Sequence, residues 1–346
     1  METYFEWAVV GAGPAGIAAI GMLLDSHVSP ARILWIDPHF AAGDFGQYWK
    51  HVSSNTKVKT FLEYFNSISS FHYAHRPQPF SLDQLDPEGH CVLDVVAEPL
   101  RWVSDHLCQQ VTAVKDTVIN LKIQNNYWNV HTKKNLYFAE KVILATGAEE
   151  KVMNPLNIET IDLKTALQPQ QLAKQCSKNE VIAVFGSSHS AMIIIRQLIE
   201  LGIKRIMNFY LTSIRYAVFL QDWTLYDNTG LKGDTAAWVR QNIVKNCLPN
   251  IQRYYSSEEN VNKYLPHCHK AICAIGFTPR TIPVEGVHLL QYDTATGIIA
   301  PGLFGVGIGF PHLTVTPLGH QEYNVGLWKF VTGLRQVMPI WFEYAL

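Results

Sequence analysis

Apolar residues cluster in short unbroken runs, 7–10 and 33–36, separated by a longer apolar stretch that small residues punctuate. Unbroken runs of this length predict strands buried on both faces, as in a parallel sheet, and the stretch after Pro14 predicts the helix between them. The same order recurs: the run 180–185, apolar after Glu180, a small-residue turn, apolar helix 192–201 ended by Gly202, then strand 205–210. Between the two units, 111–114, 117–123, 127–132 and 136–138 read as short strands. The turns between these runs, Lys115-Asp116, Asn125-Asn126 and Lys133-Lys134-Asn135, suit hairpins. Residues 95–110 predict a helix with Leu100, Val103 and Leu107 on one face, its start blurred by Pro99.

Two similar strand ends, Ala145-Thr146-Gly147 and Ala274-Ile275-Gly276, each lead into a Pro-bearing connection, with Pro155 in the first and Pro279 and Pro283 in the second. The expected fold is α/β: two Rossmann-like three-layer nucleotide-binding domains, the second inserted in the first, with a β-meander. The expected boundaries are 1–150 plus 280–346 for the outer domain and 151–279 for the inserted one.

Composition narrows the classes. Of 346 residues only 16 % are charged, against an average near 25 %, while 48 % are hydrophobic and the net charge is −1. Disorder is excluded, and nothing global recommends nucleic acid or an anionic membrane as partner. The first apolar stretch is broken by Gly11, Gly13, Pro14, Gly16 and Gly21 and preceded by acids, so neither a membrane span nor a signal peptide is expected. Six scattered cysteines form no tight framework, which makes a reducing, cytoplasmic compartment the default; no metal site is expected.

The first turn, Gly11-Ala12-Gly13-Pro14-Ala15-Gly16, carries the spacing of a dinucleotide fingerprint: one glycine for the tight turn, one for close approach of a pyrophosphate, one for helix–strand packing. Asp37 ends the next strand 21 residues past Gly16, where a carboxylate accepts from ribose hydroxyls. The second turn, Gly186-Ser187-Ser188-His189-Ser190-Ala191, has Ser188 and Ala191 at the second and third glycine positions. His189 there touches a phosphate or caps the helix. No acid ends the strand at Tyr210; Thr212, Ser213 and Arg215 follow. That favours NADPH over NADH, although Arg215 also reads as a solvated loop charge.

This pattern resembles the flavoproteins with paired dinucleotide-binding domains, the pyridine nucleotide-disulfide oxidoreductase and thioredoxin reductase-like superfamily. The resemblance implies FAD on the first turn, NADPH (with NADH as the alternative) on the second, Val111 offering backbone to adenine, and Ala145, Thr146, Gly147 and Gly276 at the domain crossings. Disulfide reductases of the family carry a close cysteine pair; this chain has no CxxC. Cys268 and Cys273 have a suitable spacing but approach the strand end at Gly276, which fits a buried small hydrophobe better. Gly43-Asp44-Phe45-Gly46-Gln47-Tyr48-Trp49 is similar to the Gly-Gly-x-Trp stretch of flavin-containing monooxygenases, with Trp49 either core or near the flavin. Ser53-Ser54-Asn55-Thr56 is similar to their segment under the flavin.

The resemblance therefore implies Gln47, Trp49, Asn55 and Thr56 near the cofactors, with Asn55 as a catalytic candidate. It also implies a final cofactor loop at Gly307-Ile308, where an expected Asp is missing. Residues 317–322 are expected to begin a helix over the flavin, which would place His320, and His312 nearby, as candidates for proton handling.

The expected activity is that of an FAD-dependent NAD(P)H oxidoreductase of monooxygenase type, acting on a small nitrogen or sulfur nucleophile through a flavin peroxide. The alternatives are a disulfide- or quinone-type reductase lacking its own CxxC, and an inactive flavin-binding interaction protein. Residues 216–233, with Phe219, Trp223 and Tyr226, are expected as a lid, partner surface or covering loop. The apolar run 339–344 is expected as a homodimer contact or as packing onto its own domain.

Overall fold

A computed structural model of the chain describes residues 4–153 and 157–344. It divides into two compact units: unit 1 comprises the chain up to Lys50, Lys57–Ala148 and the chain from Pro279 on; unit 2 comprises His51–Thr56 and Glu149–Thr278.

The chain opens with β1 (Tyr4–Val10), α1 (Pro14–Asp25), β2 (Ile33–Ile36), the short α2 (Gly43–Gln47), α3 (Val58–Asn66) and α4 (Asp94–Cys108). The meander follows as β3 (Thr112–Val114), β4 (Val118–Gln124), β5 (Tyr127–Thr132) and β6 (Leu136–Leu144). Pro99 does not start α4; the helix begins ahead of it and buries it. The next segment holds β7 (Ala148–Glu150), β8 (Glu159–Ile161), α5 (Leu163–Ala166), α6 (Pro169–Gln175), β9 (Val181–Phe185), α7 (His189–Glu200) and β10 (Arg205–Tyr210). Then come β11 (Val218–Phe219), β12 (Thr224–Leu225), α8 (Gly233–Val239), a π-helix (Arg240–Lys245), β13 (Ile251–Tyr255), α9 (Glu258–Tyr264), β14 (Lys270–Cys273) and β15 (Phe277–Pro279). The chain closes with β16 (Val284–Glu285), β17 (Ile298–Ala300), β18 (Leu303–Gly305), β19 (Leu313–Val315), β20 (Gln321–Tyr323) and α10 (Leu327–Glu343). Pro155, expected in the first connection, lies outside the described residues.

In unit 1, β3, β2, β1, β6 and β18 run parallel. Strand β6 is shared. Its first half pairs antiparallel with β5, and its second half receives β18. The alternation along each strand decides what covers the sheet. Trp7, Val9, Ile33 and Trp35 face α1, α3, α4 and α10 in one buried cluster. Ala8, Val10, Leu34 and Ile36 face Leu121, Trp128 and Val130 of the meander in another. Both faces are dry, which is why these strands read as unbroken apolar runs. The apolar C-terminal run docks onto its own unit: Trp341 is fully buried, stacks on Phe304 at 4.7 Å and donates through Nε1 to Thr296 O at 2.7 Å.

In unit 2, β13, β10, β9, β14 and β8 form a parallel sheet in that order. Residues 216–233 hold the small β11–β12 hairpin, with Val218, Phe219 and Leu220 exposed. No helix among the described residues is long and apolar enough to cross a membrane.

Candidate functional site

The first glycine turn joins three strand ends of unit 1. Gly11 N–H donates to Ile36 O and Ala145 N–H donates to Val10 O, both at 2.8 Å. Gly11 has φ +110°, and a Cβ there would lie 2.3 Å from Ala145 O. A Cβ on Gly16 would lie 2.0 Å from Gly11 O, so only glycine lets α1 seat on the turn. Gly13 is different: its nearest neighbour is Gly43 Cα at 3.9 Å. It caps α1 with no side-chain bond to the first-turn amides, and Pro14 at the first helical position has no amide to satisfy. Open backbone at a helix start, with the helix dipole behind it, suits a diphosphate. Gly307 and Gly309 complete the wall. Their Cβ atoms would fall 2.8 Å from Ala15 Cβ and 2.4 Å from Gly147 O, which brings the Gly307-Ile308 loop onto the same sheet end.

Three expectations in unit 1 change. The Asp37 carboxylate accepts from Ala12 N–H on one oxygen and from His39 and Phe40 N–H on the other, all at 2.7 Å. Most of its acceptor capacity therefore braces the turn, and one acceptor position remains for a ribose hydroxyl. Val111 precedes β3, and its N–H is taken by Leu107 O at 3.2 Å, which leaves at most its carbonyl for adenine. Residues 317–322 are not a helix start. Thr316 and His320 close the β19–β20 hairpin through Thr316 N–H to His320 O (2.8 Å) and His320 N–H to Thr316 Oγ1 (3.1 Å). The helix begins at Leu327, after Gly326 at φ +146°. The His320 ring faces the buried carboxyl of Glu322 at 3.9 Å. His312 packs on Gly333 of α10, where a Cβ would fall 2.8 Å from its ring, and burial lowers its basicity.

Gln47 Nε2 donates to Gly43 O at 3.3 Å within α2, and Trp49 is half-buried beside Tyr48. Helix α2 itself is tied down from two sides. Arg101 of α4 donates to Gly46 O at 2.6 Å, and Arg280 bonds Asp44 at 2.5 Å. Arg280 also donates its N–H to Gly147 O (3.1 Å), while Thr146 Oγ1 donates to Arg280 O (2.9 Å). Gly43 abuts Gly13, so this tie holds one wall of the first glycine turn. No sequence spacing signalled Arg280, because its partners lie 134 and 236 residues away. Arg280→Met is expected to weaken FAD affinity roughly tenfold, the scale of one charged hydrogen bond, with Asp44→Asn close behind. Flavin fluorescence titration of the apoprotein measures it, and an unchanged affinity in both variants would remove Arg280 from the site.

The second turn repeats the design in unit 2. Gly186 has φ +123°, and its Cβ would lie 2.3 Å from Ala274 O and 3.2 Å from Ala191 Cβ. Gly186 N–H donates to Phe209 O at 2.8 Å. Ser188 caps α7 without a side-chain bond, Ser190 follows in the first turn of the helix, and Ser187 Oγ donates to Thr212 O at 2.8 Å. Gly276 has open space around it. His189 does not cap the helix. Its Nε2 donates to Ser53 O at 3.2 Å, which anchors residues 51–56 in unit 2. Asn55 and Thr56 therefore belong to unit 2, and Asn55 Oδ1 accepts from Thr56 Oγ1 at 3.3 Å. The Arg215 guanidinium lies 5.2 Å from the centre of the Tyr226 ring.

Five of the six cysteines are buried or half-buried. Burial pushes the thiols of Cys91, Cys108, Cys176 and Cys268 up to about 11, and raises that of Cys273. Cys268 Sγ sits 3.5 Å from Met207 Sδ. All six are free, and only Cys247 is exposed. Among the described residues no group of three or more His, Cys, Asp or Glu is placed to hold a metal.

Residues 8–299 match the pyridine nucleotide-disulphide oxidoreductase family. The chain is 30 % identical over 380 residues to the monooxygenase AgnR1 of Paecilomyces divaricatus, covering 96 % of this chain and 97 % of that protein. Among solved structures it resembles an ornithine N-hydroxylase from Kutzneria sp. 744 (TM-score 0.67, 11 % identity, 99 % of each chain). It also resembles a flavin-containing monooxygenase from Stenotrophomonas maltophilia (0.65, 13 %, 99 % of this chain and 98 % of that one). A bacillithiol disulfide reductase from Staphylococcus aureus is similar as well (0.63, 14 %, 99 % of each chain). At these identities the structural likeness is one of fold.

Proposed function

Since the chain belongs to the pyridine nucleotide-disulphide oxidoreductase family and is an FAD- and NADPH-dependent oxidoreductase, we propose that it is a monooxygenase that transfers one oxygen atom to a small nitrogen or sulfur nucleophile. Bound at these turns, FAD and NADPH would supply the hydride transfer and the activation of dioxygen. The protein's part is to bind and orient. The open amides of α1 hold the diphosphate, and Gly13 and Gly307 admit the cofactor's backbone. The Gly186 turn and the first turn of α7 hold the nucleotide, and Asn55 presents an amide from the segment that His189 anchors.

The observation that carries the reading is the state of the thiols. A disulfide reductase of this family that carries its own dithiol passes electrons out through it, and the thiolate is the reacting form. Here five thiols are shifted away from that form, and the sixth, Cys247, is exposed and follows the π-helix. The similarity to a curated monooxygenase over nearly the whole chain supports the same reading.

Titration of the folded protein with Ellman's reagent tests it. One thiol, Cys247, is expected to react fast, both before and after anaerobic reduction with NADPH. A gain of two thiols on reduction would identify a redox disulfide and sink the proposal.

A further inference from the structure

Unit 2 holds a group of cations whose charge the chain does not neutralise. Arg253, on β13, donates its Nε to Asn208 Oδ1 at 2.9 Å, and its guanidinium lies 4.6 Å from the centre of the Tyr210 ring. Asn208 is completely buried on β10 and donates Nδ2 to Val184 O (3.0 Å) and Gly186 O (2.8 Å). One side chain therefore ties Arg253 to the first residue of the nucleotide turn. Arg253 Nη2 is buried with no hydrogen-bond partner, and so is Tyr216 Oη. The Arg240 guanidinium, at the start of the π-helix, lies 4.1 Å from the centre of the Tyr216 ring. The Tyr216 hydroxyl is held towards its neutral form by burial, against the pull of the Arg240 and Arg253 charges. Among the described residues, no ion pair reaches Arg240 or Arg253.

Buried donors left unpaired are costly, and a charged one most of all, so a native site that keeps them calls for an acceptor. A guanidinium stacked on a phenol whose hydroxyl lacks a partner, and a second guanidinium with an unpaired Nη2, match a phosphate monoester, which offers several acceptor oxygens and two charges. The place also matters. In a dinucleotide-binding unit the adenosine ribose lies beyond the end of the second strand, here β10, which ends at Tyr210 beneath Arg253. A π-helical segment is rare and frequently marks a functional site; Arg240 opens one. Arg215, the cation that sequence spacing suggests, instead lies beside the Tyr226 ring.

We propose that Arg253, Arg240 and Tyr216 read the 2′-phosphate of NADPH, with Asn208 as the positioning residue that locks Arg253 to the Gly186 turn, and that this set determines the preference for NADPH over NADH. The proposal rests on the use of NADPH and is independent of the oxygen-transfer reading.

Calorimetric titration of the FAD-loaded enzyme with 2′,5′-ADP and with 5′-AMP tests it without turnover. The wild type is expected to bind 2′,5′-ADP at least about tenfold more tightly. Arg240→Gln, at an exposed position that leaves the core intact, and Tyr216→Phe are each expected to cut that preference roughly fivefold or more while leaving 5′-AMP affinity within about twofold of wild type. Arg253→Lys is expected to do the same, and its melting temperature reports any loss of fold. A wild type that does not distinguish the two ligands overturns the proposal. So does a preference untouched in Arg240→Gln and Tyr216→Phe but abolished in Arg215→Gln.

Discussion

Gly16→Ala is expected to yield a protein that retains little FAD and melts well below wild type. On propensity alone the change should help, since alanine exceeds glycine in a helix interior by about 1 kcal/mol. The geometry reverses the sign. The new Cβ would lie 2.0 Å from Gly11 O and 3.4 Å from Ala145 Cβ, and a backbone carbonyl in the crossing of strand and helix has nowhere to go. Helix α1 must lift off the sheet. Overpacking of this kind costs roughly 1–3 kcal/mol or more, and the lift also moves the first-turn amides away from the diphosphate. Gly13→Ala separates the two effects. Its Cβ meets only Gly43 Cα at 3.9 Å, so the fold is expected to survive while FAD affinity falls. Thermal melts and the 450 nm flavin absorbance of the purified variants give both readouts. A Gly16→Ala protein as yellow and as stable as wild type would contradict the packing described for the turn.

Asp37→Ala is the second large effect, and it distinguishes a brace from a ribose ligand. Three backbone N–H groups, of Ala12, His39 and Phe40, lose their acceptor at once. Each buried unpaired donor costs about 1–3 kcal/mol, so the loss is about 3 kcal/mol even where water reaches part of the site. Asp37→Asn is no remedy, because its NH2 would face an N–H on one side. The loss is expected in urea unfolding of the FAD-stripped protein as well as in the loaded form. A residue that only held the ribose would leave the stripped protein unchanged.

The two glycine turns are legible in the sequence because their requirement is local and steric. Gly11 and Gly186 each need positive φ and each meets the carbonyl of a strand end, Ala145 or Ala274, at the same 2.3 Å. The buried strands are legible because both faces are apolar. What the spacing hides is anything decided across long separations. His189 meets Ser53 136 residues away and carries residues 51–56 into unit 2. The partners of Asp37 are backbone amides, which no side-chain pattern reveals. Residues 317–322 mislead because Pro-Leu-Gly also suits a turn, and Gly319 at φ +80° makes one.

The low charge, 16 %, follows largely from two sheets buried on both sides. Exposed apolar groups remain at Val218, Phe219 and Leu220, in the region where aromatic residues stand out, and also at Val315, Leu318 and Tyr323 of the β19–β20 hairpin, where nothing in the sequence marks them.

Oxygen transfer is tested most directly by turnover under 18O2 with NADPH and a simple sulfide such as methyl phenyl sulfide, or an amine such as N,N-dimethylaniline. The balanced reaction consumes one NADPH, one proton and one dioxygen and gives oxidised substrate, NADP+ and one water. The expected product is sulfoxide or N-oxide carrying a single 18O atom, formed in step with NADPH oxidation. Unlabelled product, or NADPH oxidation that is fast under argon with a quinone or a low-molecular-weight disulfide and yields only hydrogen peroxide in air, would contradict a monooxygenase.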